Sequence, residues 1–132
     1  MAVKTHESAE DYLETILMLQ RKNGMVRSID IASEMDFSKP SVSVAMKKLR
    51  AGGYIEMGSD GHITLTKEGM VAAESVLERH TMLTDWLIRI GVERSIAADD
   101  ACRIEHVISA ESFEAIKRHV ARHSVKAIES GT

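Results

Sequence analysis

Apolar residues recur along this chain with two periods, and the change from one to the other divides it. Tyr12, Ile16 and Leu19, with Leu13 and Leu17 beside them, fall on one side of a helix spanning about 8–22. Ser8, followed three residues later by Asp11, is placed as its N-cap, and Lys22-Asn23-Gly24 ends it. Ser28 is placed to cap a short second helix, Ile29 to Met35, with Ile29, Ala32 and Met35 on the inner side. After Asp36-Phe37-Ser38 a third helix opens with Ser38 as N-cap and Pro40 in the first turn, where the missing N–H is not needed. Val42, Ala45, Met46 and Leu49 turn inward before Gly52-Gly53 stops it near Arg50.

The period then shortens to two. Tyr54-Ile55-Glu56-Met57 and His62-Ile63-Thr64-Leu65-Thr66 alternate around Gly58-Ser59-Asp60-Gly61, which predicts a β-hairpin. The helical period returns in a long helix over about 67–90, capped by Thr66, carrying Glu68 in its first turn and stopped by Gly91. Two more helices are predicted, over 95–108 and from Ser109 or Ala110 to about 128. Three helices followed by a hairpin is the winged helix-turn-helix order. The expected fold is mostly α: a winged helix-turn-helix DNA-binding domain over 1–66, then a linker helix and an all-helical domain over 67–132. Aromatic residues make up only 4% of the chain, which suits helices packed on helices.

Bulk charge does not announce a nucleic-acid binder, because the formal net charge of the 132 residues is −3. Positive charge would have to be concentrated locally, and it is. Residues 38–55 contain no Asp or Glu, while Ser38, Lys39, Ser41, Ser43, Lys47, Lys48 and Arg50 supply hydroxyls and cations. Such groups position phosphates, and the N-terminal residues of the third helix would face bases in the major groove. The expected DNA-contacting set is Arg27, Ser38, Lys39, Pro40, Ser41, Ser43, Lys47 and Lys48. A solvated helix with outward lysines accounts for the charge pattern alone. The turn, the proline start, the Gly-Gly stop and the hairpin favour double-stranded DNA as partner. The weakly charged wing tip, Ser59-Asp60-Gly61-His62, is expected to read little sequence.

A second set of residues carries metal chemistry. Asp11 and Glu14 lie three apart and share a helix face. Cys102, Glu105 and His106 share a face of a later helix, and His80 lies on the long helix. Oxygen, nitrogen and sulfur donors of this kind suit Fe(II), Mn(II), Co(II), Ni(II) or Zn(II). Each piece also has an ordinary reading: acids near a helix start favour the macrodipole, and a lone cysteine is usually a small buried hydrophobe. Met18, in line with Asp11 and Glu14, is expected in the core. Trp86 is expected in a core or dimer interface, and Asp85, His119 and His123 at the surface.

Four runs bring the scattered donors together: Glu10-Asp11-Tyr12-Leu13-Glu14, Ser38-Lys39-Pro40-Ser41-Val42-Ser43, Glu78-Arg79-His80, and Asp99-Asp100-Ala101-Cys102-Arg103-Ile104-Glu105-His106-Val107-Ile108-Ser109. In these the chain resembles the diphtheria toxin repressor and manganese transport regulator family, from Glu10 to about Ala121. The resemblance implies a metal-dependent repressor of metal-uptake genes that acts as a homodimer on a near-palindromic operator. It implies metal ligands at Asp11, Glu14, His80, Cys102, Glu105 and His106. The manganese-type branch is similar in Asp11 and Glu14 but carries glutamate at the position of Cys102. The iron-type branch has the cysteine but methionine at the position of Asp11. Thr84 and Ala98 stand where the iron-type branch has a glutamate and a histidine of an ancillary site. The SH3-like third domain of long members is expected to be absent. A thiolate shifts preference away from Mn(II), so Fe(II) is expected ahead of Mn(II), with Zn(II), Co(II), Ni(II) or Cd(II) as surrogates. Cys102 is also a candidate for oxidation.

Other classes are disfavoured by what the sequence contains. The single cysteine rules out an intrachain disulfide and suits a reducing compartment. No apolar run approaches the ~20 residues of a membrane span, and no signal peptide is recognised, so a cytoplasmic protein without a membrane partner is expected. No Gly-rich phosphate loop, serine elbow or His-Glu-x-x-His run is present, so neither an enzyme nor a small-molecule substrate is expected. The rivals are a winged-helix regulator of a small organic ligand, a metal-dependent hydrolase using Glu105 as base, and a dimeric adaptor without a DNA role.

Overall fold

The computed structural model describes the backbone of residues 9–129 and the side chains of 9–122, so Ser8 and the His123 side chain lie outside the described residues. Two compact units divide at Leu77/Glu78. The first contains α1 (Ala9–Asn23), α2 (Ser28–Met35), α3 (Lys39–Ala51), β1 (Ile55–Met57), β2 (Ile63–Leu65) and the first turns of α4 (Lys67–Arg89). The second contains the rest of α4, α5 (Arg94–Val107) and α6 (Ala110–Glu129).

The first unit closes around one core. Tyr12, Ile16 and Leu17 of α1, Ile31 of α2, Val42, Met46 and Leu49 of α3, Ile55 and Ile63 of the hairpin and Ala73 of α4 are buried together. Every element therefore contributes its inward stripe, the arrangement the hydrophobic periods predict. Phe37 in the turn packs at its edge, with its ring 6.0 Å from that of Tyr12. Asp36 adopts φ 56°, a left-handed residue that ends α2 and turns the chain into α3.

Two local expectations are corrected. Ser28 does not cap α2; it is the first helical residue, and Asp30 Oδ2 accepts instead from the Arg27 backbone N–H at 2.9 Å. Ile29 is 55% exposed, and the inward positions of α2 are Ile31 and Ala32. The eight-residue helix has too few turns to define its face by period alone. Ser38 does cap α3, accepting from Ser41 N at 3.2 Å.

The hairpin pairs Ile55 with Leu65, Glu56 with Thr64 and Met57 with Ile63, antiparallel. It is anchored at both ends. Ile63 N donates to Val26 O at 2.8 Å, and Thr66 N donates to Tyr54 O at 3.0 Å. Thr66 Oγ1 donates to Gly53 O at 2.7 Å and accepts from Gly69 N at 3.1 Å, so one side chain caps α4 and ties it to the end of α3. Gly69 explains how a helix can press against this strand. A Cβ there would sit 1.9 Å from Tyr54 O.

The second unit buries Leu83 of α4, Ala101 of α5 and Phe113 of α6, with Met82, Trp86, Ile104, Ile108 and Ile116 packed against them. Glu93 caps α5, accepting from Ser95 N at 3.1 Å and Ile96 N at 3.4 Å. The Ser95 hydroxyl and these N–H donors hold its carboxyl below the usual carboxylate range. Ser109 Oγ accepts from Ser112 N at 3.0 Å at the start of α6. Lys117 of α6 reaches Glu78 of α4 at 2.6 Å, and that carboxylate raises the lysine's pKa. No helix among the described residues is long and apolar enough to cross a membrane.

Gly69→Ala is expected to destabilise the protein by about 1–3 kcal/mol, because backbone rather than a flexible side chain must yield to the new methyl. Urea denaturation followed by circular dichroism measures this. A loss below roughly 0.5 kcal/mol, the range of an indifferent surface change, would show that the close approach of α4 to Tyr54 is not required.

Candidate metal centre and nucleic-acid interface

The second unit carries four of the expected donors, in two pairs whose ligand atoms lie within 4.8 Å of each other: His80 with Glu105, and Cys102 with His106. Glu105 is 2% exposed and is the last of the buried residues of α5, after Ala97 and Ala101. Its Oε1 lies 2.9 Å from Nδ1 of His80 on α4. With the proton on Nδ1, His80 donates to the carboxylate and Nε2 keeps its lone pair for a Lewis acid. Glu105 Oε2 is buried and has no hydrogen-bond partner among the described residues. His106 Nε2 stands 3.9 Å from it, beyond hydrogen-bonding distance. Cys102 is half-buried, one turn before His106 on the same helix.

Backbone and cation–π contacts hold this helix in place. Arg79 Nη1 donates to the Glu105 carbonyl at 3.3 Å, and its guanidinium carbon sits 5.3 Å from the centre of the Phe113 ring. Arg79 thereby links α4, α5 and α6 beside the donor cluster.

A buried carboxylate with one unpartnered oxygen costs stability, and an apolar residue of similar volume would not. The surrounding groups suggest why this one is present. Carboxylate oxygen, imidazole nitrogen and a nearby thiol together fit a divalent cation of the borderline class. The residues present therefore suit the ion that the resemblance implies.

In the first unit, Asp11 and Glu14 lie on adjacent turns of α1 and are 7% and 8% exposed. A favourable macrodipole contact at a helix start does not require burial, so the ordinary reading of these acids leaves their burial unaccounted for. Met18, one turn further on, is 47% exposed, so the expectation of core packing is corrected: the core side of α1 is carried by Tyr12, Leu13, Ile16, Leu17 and Leu19. Trp86 packs on the second core as expected, and Asp85 and His119 are exposed.

The expected DNA-contacting residues form the outer side of α3 and its approach. Lys39, Pro40, Ser43, Lys47 and Lys48 are exposed, as is Arg50, while Ser41 is half-buried. Ser38 Oγ donates to Ser41 Oγ at 2.9 Å, which orients both hydroxyls at the start of the helix. Arg27 is exposed at the start of α2. Val44, 53% exposed on the same outer side, is a contact candidate the sequence reading missed. Its one signal is that it falls out of phase with Val42, Met46 and Leu49. At the wing tip Asp60 Oδ1 accepts from His62 N at 3.1 Å and Oδ2 lies 2.6 Å from His62 Nδ1. Those bonds, the backbone one foremost, hold Asp60 below the usual carboxylate range. The tip closure is therefore complete above that range and is lost as pH falls through the depressed value.

Comparison with known proteins bears on both regions. Residues 4–63 match the iron-dependent repressor N-terminal DNA-binding domain, and residues 66–126 match the iron-dependent repressor metal-binding and dimerisation domain. The chain is 35% identical over 120 residues to the transcriptional regulator MntR of Escherichia coli O6:H1, covering 91% of this chain and 77% of that protein. A solved manganese-dependent transcriptional repressor in complex with manganese is similar with a TM-score of 0.79 and 27% identity, over 86% of this chain and 53% of that one. The IdeR structure from T. acidophilum is similar with a TM-score of 0.74 and 27% identity, over 85% of this chain and 54% of that one. This chain spans about half the length of those two solved chains. With both halves matched and a third of its residues shared with a full-length regulator, the chain belongs to the iron-dependent repressor family of metal-responsive, DNA-binding transcriptional regulators.

Proposed function

We propose that this protein is a metal-activated repressor of metal-uptake genes. In this reading it acts in the cytoplasm as a homodimer on a near-palindromic operator and is not an enzyme. The observation that carries the reading is Glu105: a buried carboxylate, bonded to His80 through one oxygen and unpartnered at the other, in a chain whose α3 presents an acid-free face of hydroxyls and lysines.

The proposed ligand set is Asp11, Glu14, His80, Cys102, Glu105 and His106. A divalent cation held by these residues would supply positive charge at the Glu105 carboxylate. His80 is held by Glu105 in the tautomer that leaves Nε2 a Lewis base. Arg79 keeps α5 in register with α4 through the Glu105 carbonyl. Asp11 and Glu14 belong to the DNA-binding domain, 1–66, and the other four donors to the helical domain, 67–132. Ligation by both groups would favour only those arrangements in which both can bind at once. The switch is a shift toward the DNA-competent population, limited by that difference in affinity. In a dimer, two α3 helices would enter successive major grooves about 34 Å apart.

The choice of ion divides the considerations. The thiol of Cys102 favours Fe(II) over Mn(II). The solved repressor named above as manganese-dependent does not support that order. Activation by either ion fits the proposed donor set, and the ranking rests on Cys102 alone. Dialysis against a chelator separates this reading from a regulator of a small organic ligand, which would keep its DNA affinity.

Three variants have expected outcomes under anaerobic conditions. Glu105→Gln keeps the acceptor for His80 and removes the unpartnered charge, so the metal-free protein should be as stable as wild type or up to about 1–3 kcal/mol more stable. The same variant should lose most of the rise in melting temperature, and of operator affinity, that Mn(II) or Fe(II) gives wild type. An intact metal response in Glu105→Gln would rule the residue out as a ligand. Lys47→Ala should weaken operator binding for all sequences and lower the salt slope, log K against log [salt], by about 1; an unchanged slope rejects a phosphate contact at Lys47. Cys102→Glu should move the activation preference toward Mn(II) relative to Fe(II). An unaltered ratio in matched titrations would remove Cys102 from the set.

A further inference from the structure

One apolar side chain stands in the middle of the outward face of α3. Val44 is two residues from Val42 and two from Met46, which are 0% and 1% exposed, so it lies about 200° from each around the helix axis. It is itself 53% exposed. Pro40, one turn before it, and Lys47 and Lys48, one turn after it, are exposed as well. A single exposed valine on a helix is ordinary, but its surroundings are not. A solvated helix face that carries lysines is stabilised by acids three or four residues from them. The positions around Lys47 and Lys48 hold none, and residues 38–55 contain no Asp or Glu. The branched Cβ of valine also lowers helix propensity relative to alanine, so nothing in the helix itself favours the residue there.

An apolar centre with hydroxyls and cations around it matches the layout of a major groove. Cations meet the phosphates at the groove edges, and the centre of the face meets the base edges. Valine has no hydrogen-bonding group, so it gains from only one of the four bases. Guanine presents two acceptors there, adenine an acceptor and a donor, and cytosine a donor. Each of these would lose its water against the valine methyls with nothing in exchange. Thymine presents an acceptor and a 5-methyl group, and contact with that methyl removes apolar surface from water on both sides. The valine methyls are also placed in advance, because a branched Cβ in a helix has one strongly preferred rotamer. The start of the helix is fixed by the Ser38 cap and by the bond from Ser38 Oγ to Ser41 Oγ.

We propose that Val44 reads the 5-methyl group of one thymine in each half of the operator. The proposal rests on the DNA-binding reading above and adds to it a base preference, carried by a residue that forms no hydrogen bond through its side chain. Lysines that contact phosphates position the helix but do not distinguish bases, so selection at this point of the half-site falls to an apolar contact.

For the test, a duplex is selected from a random-sequence pool with the Mn(II)-loaded full chain. Each of its thymines is then replaced in turn by deoxyuridine, which removes only the methyl. At one position in each half-site the replacement should weaken binding roughly fourfold. Val44→Ala should bind the parent duplex more weakly by a similar factor, with the uracil penalty gone at that position and kept at any other. Alanine is the better helix former at this exposed site, so the variant is expected to fold. The wild type should also prefer 5-methylcytosine to cytosine at that position, because the methyl is the shared group, and Val44→Ala should not. Lys47→Ala should lower affinity and keep the uracil penalty, which separates base reading from a general loss of binding. Identical uracil penalties in wild type and Val44→Ala, or none anywhere in the half-site, would overturn the proposal and leave DNA binding standing. A full chain that enriches no duplex with Mn(II) or Fe(II) would overturn the DNA-binding reading and the proposal with it.

Discussion

A carboxylate buried without a partner for one of its oxygens is an expense a small protein does not carry idly. Glu105 sits on the inward face of α5 with Ala97 and Ala101, where a leucine would pack with no electrostatic penalty. Much of the second unit can be understood as keeping that group in place. Arg79 bonds to its carbonyl and stacks on Phe113, His80 takes one of its oxygens, and Ala101 leaves room for α5 to approach α4 and α6. These contacts hold the carboxylate in position but give its second oxygen no hydrogen bond among the described residues. A cation-responsive protein needs such an imbalance, because a site fully satisfied without its ion has little to gain from binding it.

The first unit has a different task and a different construction. Its core draws one stripe from every element, and its hairpin is tied at each end by backbone hydrogen bonds. Thr66 and Gly69 bind the start of α4 to the end of α3 and to Tyr54. The result is a rigid mount for α3, whose outer face needs only hydroxyls, cations and the absence of acids. The second unit instead buries a carboxylate with one oxygen that has no hydrogen-bond partner among the described residues.

Much of the architecture was legible before any coordinates. The helices and the hairpin of the described residues follow from period, because buried faces impose a 3.6- or 2-residue repeat wherever an element is long enough to show it. The failures occurred where that condition lapses. The short α2 shows too few turns to define its inward face, so Ile29 was read as inward. Its cap comes from Asp30 reaching back, a reciprocal contact visible only in geometry. Met18 is apolar and in phase with the donors of α1, yet it is exposed, because the core of that helix lies on the Tyr12–Ile16–Leu19 side.

The sequence by itself determined the order of elements, the acid-free face of α3, the donor types in α1, α4 and α5, and the family to which they point. It could do so because periodicity, capping and charge clustering are local properties. Only the tertiary structure decided that Glu105 is buried, that His80, 25 residues away, bonds one of its oxygens, and that the other has no hydrogen bond among the described residues. Desolvation and hydrogen-bond satisfaction depend on what packs around a group, and no spacing along the chain encodes them.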